Sequence, residues 1–174
     1  MNTNLKIRKT QKSDVPSLMA VFDEARKTIK ALGIDQWQNG YPSADVIFDD
    51  IEKSQSYCVE IDGEICATFA IIRFGEPTYD SIYGGKWLTC DEKGYLAIHR
   101  VAISVKYRGR GISTAIIDFA IDLARELDKK SLRIDTHQGN IVMRKMLEKH
   151  DFSYCGLIYL ENRDERVAYE KIIG

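Results

Sequence analysis

The stretch VAISVKYRGRGIS runs from Val101 to Ser113. An apolar, β-rich run passes into three cations, Lys106, Arg108 and Arg110, placed around Gly109 and Gly111. Ile112, Ala115, Ile116, Phe119, Ala120, Leu123, Ala124 and Leu127 then fall on one helical face. A strand that ends in a glycine-containing loop and opens a helix makes an anion site. The helix start carries N–H groups outside the helical ladder and a partial positive charge. Glycine lets the backbone come close to a phosphate. A P-loop needs GxxxxGK[ST], which does not occur. A dinucleotide fingerprint needs a third glycine and an acidic ribose partner, and GRGIST supplies neither.

Outward from this stretch the elements follow in order. YLAIHRVAISV, Tyr95 to Val105, predicts the strand before the loop, and SLRIDTH predicts the strand after the long helix. That β-α-β unit requires a parallel pair. Leu5 to Arg8 reads as a first strand. Ser13-Asp14 offers an N-cap, with Pro16 in the first turn and Gly33 closing the helix. Ser43 caps a second helix with Val46, Ile47 and Ile51 on its apolar face. SYCVEI and EICATFAIIRF flank Asp62-Gly63, a type I′ hairpin signal. Asn140 caps a helix carrying Val142, Met143, Met146 and Leu147, and FSYCGLIYL and RVAYEKII close the chain. Gly75 to Lys93 predicts a long irregular connection of the kind that is functional or mobile. The order β-α-α-β-β-β-α-β-α-β-β is an α+β (mixed α/β) arrangement with a mixed, mostly antiparallel sheet flanked by helices. No linker divides residues 1–174, so a single domain is expected.

Composition narrows the partners. Of 174 residues, 25 are Lys or Arg and 26 Asp or Glu, a formal net charge of -1. That balance offers no general attraction to nucleic acid or an anionic membrane, so an anion site must be local. No apolar run is long enough to span a bilayer, and MNTNLKIRKT lacks a signal-peptide core. Cys58, Cys66, Cys90 and Cys155 are scattered without metal-ligand spacing, so no metal is expected. Cys58, Cys66 and Cys155 lie in apolar runs and read as reduced core residues, which suits a cytoplasmic protein.

RGRGIS, in this setting, resembles the (Q/R)xxGx(G/A) pyrophosphate loop of the GNAT acetyltransferases, with Arg108 as its first residue and Gly111 as its glycine. The resemblance extends to the RIDTH strand, to NxxM on a short helix ending in DF, and to the element order over nearly the whole chain. Ser113 stands in place of the last Gly/Ala, and Asp151 in place of the glycine of the family's GF. The resemblance implies the GNAT acyl-CoA transferase fold with acetyl-CoA as co-substrate. Acetyl-CoA would lie in a V-shaped opening between the central strand and the strand after the long helix. The backbone of Val101, Ala102 and Ile103 would run beside the pantetheine. Arg108, Gly109, Arg110, Gly111, Ile112 and Ser113 would hold the pyrophosphate. Thr114 would reach a phosphate oxygen, Asn140 would approach the pantetheine and departing sulfur, and Lys145 is a candidate for the 3′-phosphate.

The implied chemistry is direct acyl transfer to a primary amine of a small molecule or peptide. An alkylammonium near pKa 10 must first lose a proton, which costs about three orders of magnitude in nucleophile at neutral pH. A base removes it, and a strand N–H, here that of Val101, steadies the oxyanion. The family's tyrosine acid falls on Leu147, so that role is vacant or moved, with Tyr154 and Tyr159 as substitutes. His99 shares a strand face with Tyr95 and Ala97 and is the candidate base, with a half-buried structural histidine as the alternative. Trp37 and Tyr41 in IDQWQNGYP, and His137 after RIDT, are candidate acceptor contacts, with core packing the alternative for the two aromatics. Thr78 to Trp87 is a second candidate lid. A non-catalytic acyl-CoA-binding sensor or interaction module of the same fold remains the competing function. The final strands allow a homodimer.

Overall fold

A computed structural model describes residues 4–90 and 94–174. The last three residues of the expected Gly75–Lys93 connection lie outside the described residues. Two compact units are present: residues 1–71 with 100–116, and residues 72–99 with 117–174.

The first unit contains β1 (Leu5–Lys9), α1 (Val15–Ala31), α2 (Ala44–Glu52), β2 (Ser56–Ile61) and β3 (Glu64–Ile72) up to its penultimate residue. β1 pairs antiparallel with β2, and β2 with β3. The predicted hairpin turn is present, with φ of 53° at Asp62 and 84° at Gly63. Val15, Leu18, Val21, Phe22 and Ala25 of α1 form one buried cluster with Ile47 and Cys58. Ser43 Oγ accepts the Val46 N–H at 3.4 Å, the expected cap of α2. The start of α1 differs from expectation. A 3₁₀ turn, Lys12–Asp14, precedes it, and the Asp14 carboxylate caps no amide of α1. It accepts instead from Gln11 N–H at 2.7 Å and from Arg8, whose charge holds the Asp14 carboxyl below its ordinary range.

The second unit contains β5 (Ser131–Thr136), α4 (Ile141–Lys149), β6 (Ser153–Tyr159) and β7 (Glu165–Ile172). β5 and β6 each pair antiparallel with β7. Two elements run through both units: β4 (Tyr95–Ile103), which divides after His99, and α3 (Ile112–Glu126), which divides after Ile116. The first residues of β4 pair parallel with β5, from Tyr95 opposite Ser131 to Ala97 opposite Arg133, as the β-α-β unit requires. The strand order is β1-β2-β3-β4-β5-β7-β6, a seven-stranded, mostly antiparallel sheet. β7 is interior, so of the two closing strands only β6 presents an edge.

Three local expectations are corrected. β4 ends at Ile103 and a 3₁₀ turn, Val105–Tyr107, follows it. Val142 on α4 is 67% exposed, whereas Leu147 is fully buried, so the apolar stripe of α4 is narrower than its sequence spacing suggested. The Thr78–Trp87 segment is held down, not open like a lid. Tyr79 is buried, Tyr83 and Leu157 exchange backbone hydrogen bonds at 2.8 Å, and Trp87 Nε1 donates to the Tyr79 carbonyl. Gly85 permits this path, because a Cβ there would stand 2.0 Å from the Cys155 carbonyl oxygen.

Candidate functional site

In the first unit the RGRGIS loop takes the form its sequence predicts. Gly109 and Gly111 have φ of 76° and 77°, a region that disfavours L side chains, and α3 starts at Ile112. A Cβ at either glycine would meet nothing within 4 Å. The loop backbone is therefore open to an incoming group. The first turn of α3 turns amide N–H groups toward it. The cations divide their work. Arg108 Nη2 donates to Thr28 Oγ1 at 3.1 Å, and the Arg110 guanidinium lies 5.2 Å from the centre of the Tyr107 ring. Lys106 is taken up locally. Its Nζ lies 2.8 Å from Glu64, which also accepts the Tyr107 hydroxyl, and Lys106 holds the Glu64 carboxyl below its ordinary range. Only Arg108 and Arg110 of the three flank the loop glycines.

β4 is irregular at the residue that matters. Arg100 has φ of 55°, a left-handed conformation inside a strand, which redirects successive side chains. Its guanidinium grips Asp50 at 2.7 and 2.6 Å and donates to the Tyr41 hydroxyl at 2.9 Å. Burial would lower the Arg100 pKa, but Tyr41 and Asp50 raise it. Tyr41 therefore belongs to an ionic lock on β4. Trp37 lies edge-on to Phe22, ring centres 5.8 Å apart, and packs on the α1 core. Ala102 is buried in that same core, while Val101 and Ile103 are partly exposed, which leaves their backbone as the usable part.

In the second unit His99 is surrounded by polar groups that its sequence neighbours do not reveal. Its Nε2 stands 3.1 Å from Glu76 Oε2, an ion-pair distance, although the two are not aligned as a hydrogen bond. Its Nδ1 is 3.9 Å from Asp135 Oδ1, and its ring centre is 5.7 Å from that of Tyr79. Tyr79 donates to Asp135 at 2.7 Å, and the Glu76 N–H donates to the Tyr95 hydroxyl at 2.9 Å. Burial alone would raise the Glu76 carboxyl; the polar contact with His99, then its charge, then two donors from Thr78 overcome it and bring the group down to about 2. Burial, then Asp135, pushes the Tyr79 phenol well above its ordinary value. Beside this cluster, buried Glu170 accepts from Arg133 Nε at 2.9 Å and from Ser131 and Thr89. The Arg133 guanidinium lies 4.0 Å from the Tyr95 ring centre and 4.2 Å from that of Trp87.

The remaining expected residues lie apart from the His99 cluster in their contacts. The Tyr154 ring, 53% exposed, sits edge-on to Tyr169, whose hydroxyl accepts from Arg144. His137 Nδ1 accepts the Gly139 N–H at 2.9 Å. Asn140 Oδ1 accepts the Met143 N–H at 3.2 Å, the predicted cap of α4. Lys145 is exposed. Sequence reading missed Glu76, Tyr79, Asp135, Asp50 and Arg100. Glu76 and Asp135 are far from His99 in the chain, and no local spacing announces them. Among the described residues no group of three or more His, Cys, Asp and Glu is placed to hold a metal, and no helix is long and apolar enough to cross a membrane.

The sequence profile of the Acetyltransferase (GNAT) family matches residues 20–152. A GNAT-family acetyltransferase from Streptococcus agalactiae 2603 is 35% identical, with a TM-score of 0.87 over 99% of this chain and 98% of that one. A GNAT-family acetyltransferase from Listeria monocytogenes 4b F2365 is 20% identical, with a TM-score of 0.72 over 99% and 98% of the two chains. An N-acetyltransferase from Staphylococcus aureus Mu50 is 16% identical, with a TM-score of 0.69 over 99% and 100%. The last two similarities bear on the fold alone. No curated protein matches the sequence. With the loop, the strand order and a relative this similar over its whole length, the chain belongs to the GNAT acetyltransferase family.

Proposed function

We propose that residues 1–174 form one acetyl-CoA-dependent N-acetyltransferase domain that acylates a primary amine of a small molecule or peptide by direct attack in a ternary complex. The observation that carries this reading is His99, held beside the Glu76 and Asp135 carboxylates. A base must take the ammonium proton, and the imidazolium that results is stabilised by an adjacent carboxylate.

The loop fits the co-substrate. Two glycines with positive φ and open space above them, at the start of a helix, suit a pyrophosphate. Arg108 and Arg110 would add charge, Val101 to Ile103 would offer strand backbone, and Thr114, Asn140 and Lys145 are the remaining contacts. Acetyl-CoA supplies the acetyl group: the amide C–N bond forms, the thioester C–S bond breaks, and the sulfur leaves with the electron pair. The Val101 N–H would hold the carbonyl oxygen as its charge develops. Tyr154, with its exposed phenol, is the candidate acid for the departing thiolate, a dispensable role because that thiolate is already a good leaving group. Trp37, Tyr41 and His137 would act on the acceptor indirectly, through the structure they hold. The buried cysteines, Cys58, Cys66 and Cys155, are free thiols and support a cytoplasmic protein.

One observation supports the second reading, a non-catalytic acyl-CoA sensor. Leu147 is fully buried, so the position of the family's tyrosine acid is a core position here. Incubation with acetyl-CoA and an amine panel, read by mass spectrometry, separates the two: an acetylated product is expected, and tight CoA binding without any product establishes the sensor. In the active protein His99→Ala lowers kcat by about 100-fold, with little change in KM for acetyl-CoA. A pH–rate profile that keeps its acidic limb in that variant removes His99 as the base.

A further inference from the structure

A cavity of about 590 Å³ opens within the second unit, within the usual size range of small-molecule pockets. Glu76, whose Oε2 lies 3.1 Å from His99 Nε2, is one of its lining residues. Arg133 lines it too, but its charge is spent on Glu170 and its faces on Tyr95 and Trp87. Two opposite charges in the wall are left over. Asp80 and Lys86 are both exposed, and among the described residues neither has an ion-pair partner. Phe74, 82% exposed, and Trp87 supply apolar surface.

A simple polyamine would be opposed by Lys86, and a simple anion by Asp80 and Glu76. A molecule that carries an ammonium, an anionic group and an apolar body answers every part of the lining. We propose that this cavity is the acceptor pocket and that it takes a zwitterionic amine, an amino acid with an apolar side chain. The ammonium goes to the Glu76–Asp80 side, the carboxylate to Lys86, and the side chain to Phe74 and Trp87. This inference rests on the acetyltransferase reading and narrows its acceptor class.

Cys90 makes the pocket testable on its own. It lines the cavity and is the exposed member of four free cysteines, the other three being buried. Alkylation by iodoacetamide, followed by peptide mass mapping, therefore reports occupancy at Cys90 without acetyl-CoA. The probes are L-phenylalanine, L-methionine, phenethylamine, which lacks the carboxylate, and 3-phenylpropionate, which lacks the amine. An amino acid present at ten times its Kd slows alkylation about tenfold, and the two fragments protect far less at the same concentration. Lys86→Ala removes the advantage of phenylalanine over phenethylamine, and Asp80→Asn its advantage over phenylpropionate. No protection by either amino acid, or equal protection by phenethylamine, overturns the inference. Protection without acetylated product from any amine leaves the pocket standing and defeats the activity. Acetylated product without protection does the reverse.

Discussion

His99 and Arg100 are neighbours in the chain, yet each serves a different compact unit, and the two units use charge in opposite ways. In the first, Arg100 carries a permanent charge, matched by both Asp50 oxygens and by Tyr41. The arrangement fixes backbone geometry, a left-handed residue in the middle of β4. In the second, the His99 imidazole meets Glu76 at 3.1 Å, off the line of a hydrogen bond. A fixed charge with every partner in place makes a lock. A titratable one with an imperfect partner is where a proton can move. The first unit also carries the two positive-φ glycines before α3, and the second the cluster of Glu76, His99 and Asp135.

That contrast can be broken experimentally, and the largest effect is expected in the first unit. Gly111→Glu should remove measurable acetyl-CoA binding by calorimetry, because it puts a carboxylate into the open space over the loop. A side chain at φ of 77° costs about 1–2 kcal/mol in strain. Gly111→Ala carries the same strain without the charge and should bind weakly but measurably. Full affinity in Gly111→Glu would show that the loop is not the pyrophosphate site.

Next in size, Asp50→Ala should destabilise the protein by about 3–5 kcal/mol in urea unfolding, since it strands the Arg100 charge in a buried setting. The loss should be nearly independent of pH between 6 and 8. A loss below about 1 kcal/mol would mean that water already reaches Arg100.

The second unit should answer to pH. Glu76 is lowered from its ordinary 4.5 to about 2 in the folded protein. Below pH 4.5 the unfolded chain binds the extra proton, so the stability Glu76 contributes is full above that value and is lost as pH falls toward 2. Other folded carboxylates, Asp14 and Glu170 among them, are lowered too. The difference between wild type and Glu76→Gln in unfolding midpoint against pH isolates Glu76 and should shrink below pH 4. A constant difference would mean that Glu76 is not ionised beside His99. The smallest effect, about 1 kcal/mol, is expected for Ser43→Ala, which removes the cap of α2 and nothing else; thermal unfolding measures it.

The parts of this protein that could be read in advance are those built from local rules. The Asp62-Gly63 turn needs two left-handed residues and has them adjacent in the chain. Asn140 and Ser43 cap the helices they immediately precede. RGRGIS is two positive-φ glycines followed by a helix start, a form that its own residues announce. Local reading failed where two groups competed. Asp14 was free to cap α1, but Arg8 claims its carboxylate. Tyr41 and Trp37 gained partners that local spacing did not announce, Arg100 and Phe22.

The sequence by itself determined the element order, the glycine loop before the long helix and the family, because turns, caps and helical stripes depend on residues a few positions apart. The tertiary structure decided what His99 faces, what Arg100 locks, and how Trp87, Asp80 and Lys86 come to share a cavity wall. His99 lies 23 and 36 positions from Glu76 and Asp135, and Arg100 lies 50 and 59 from Asp50 and Tyr41; only the folded chain decides that these groups meet, because an ion pair depends on distance in space and carries no trace in local spacing.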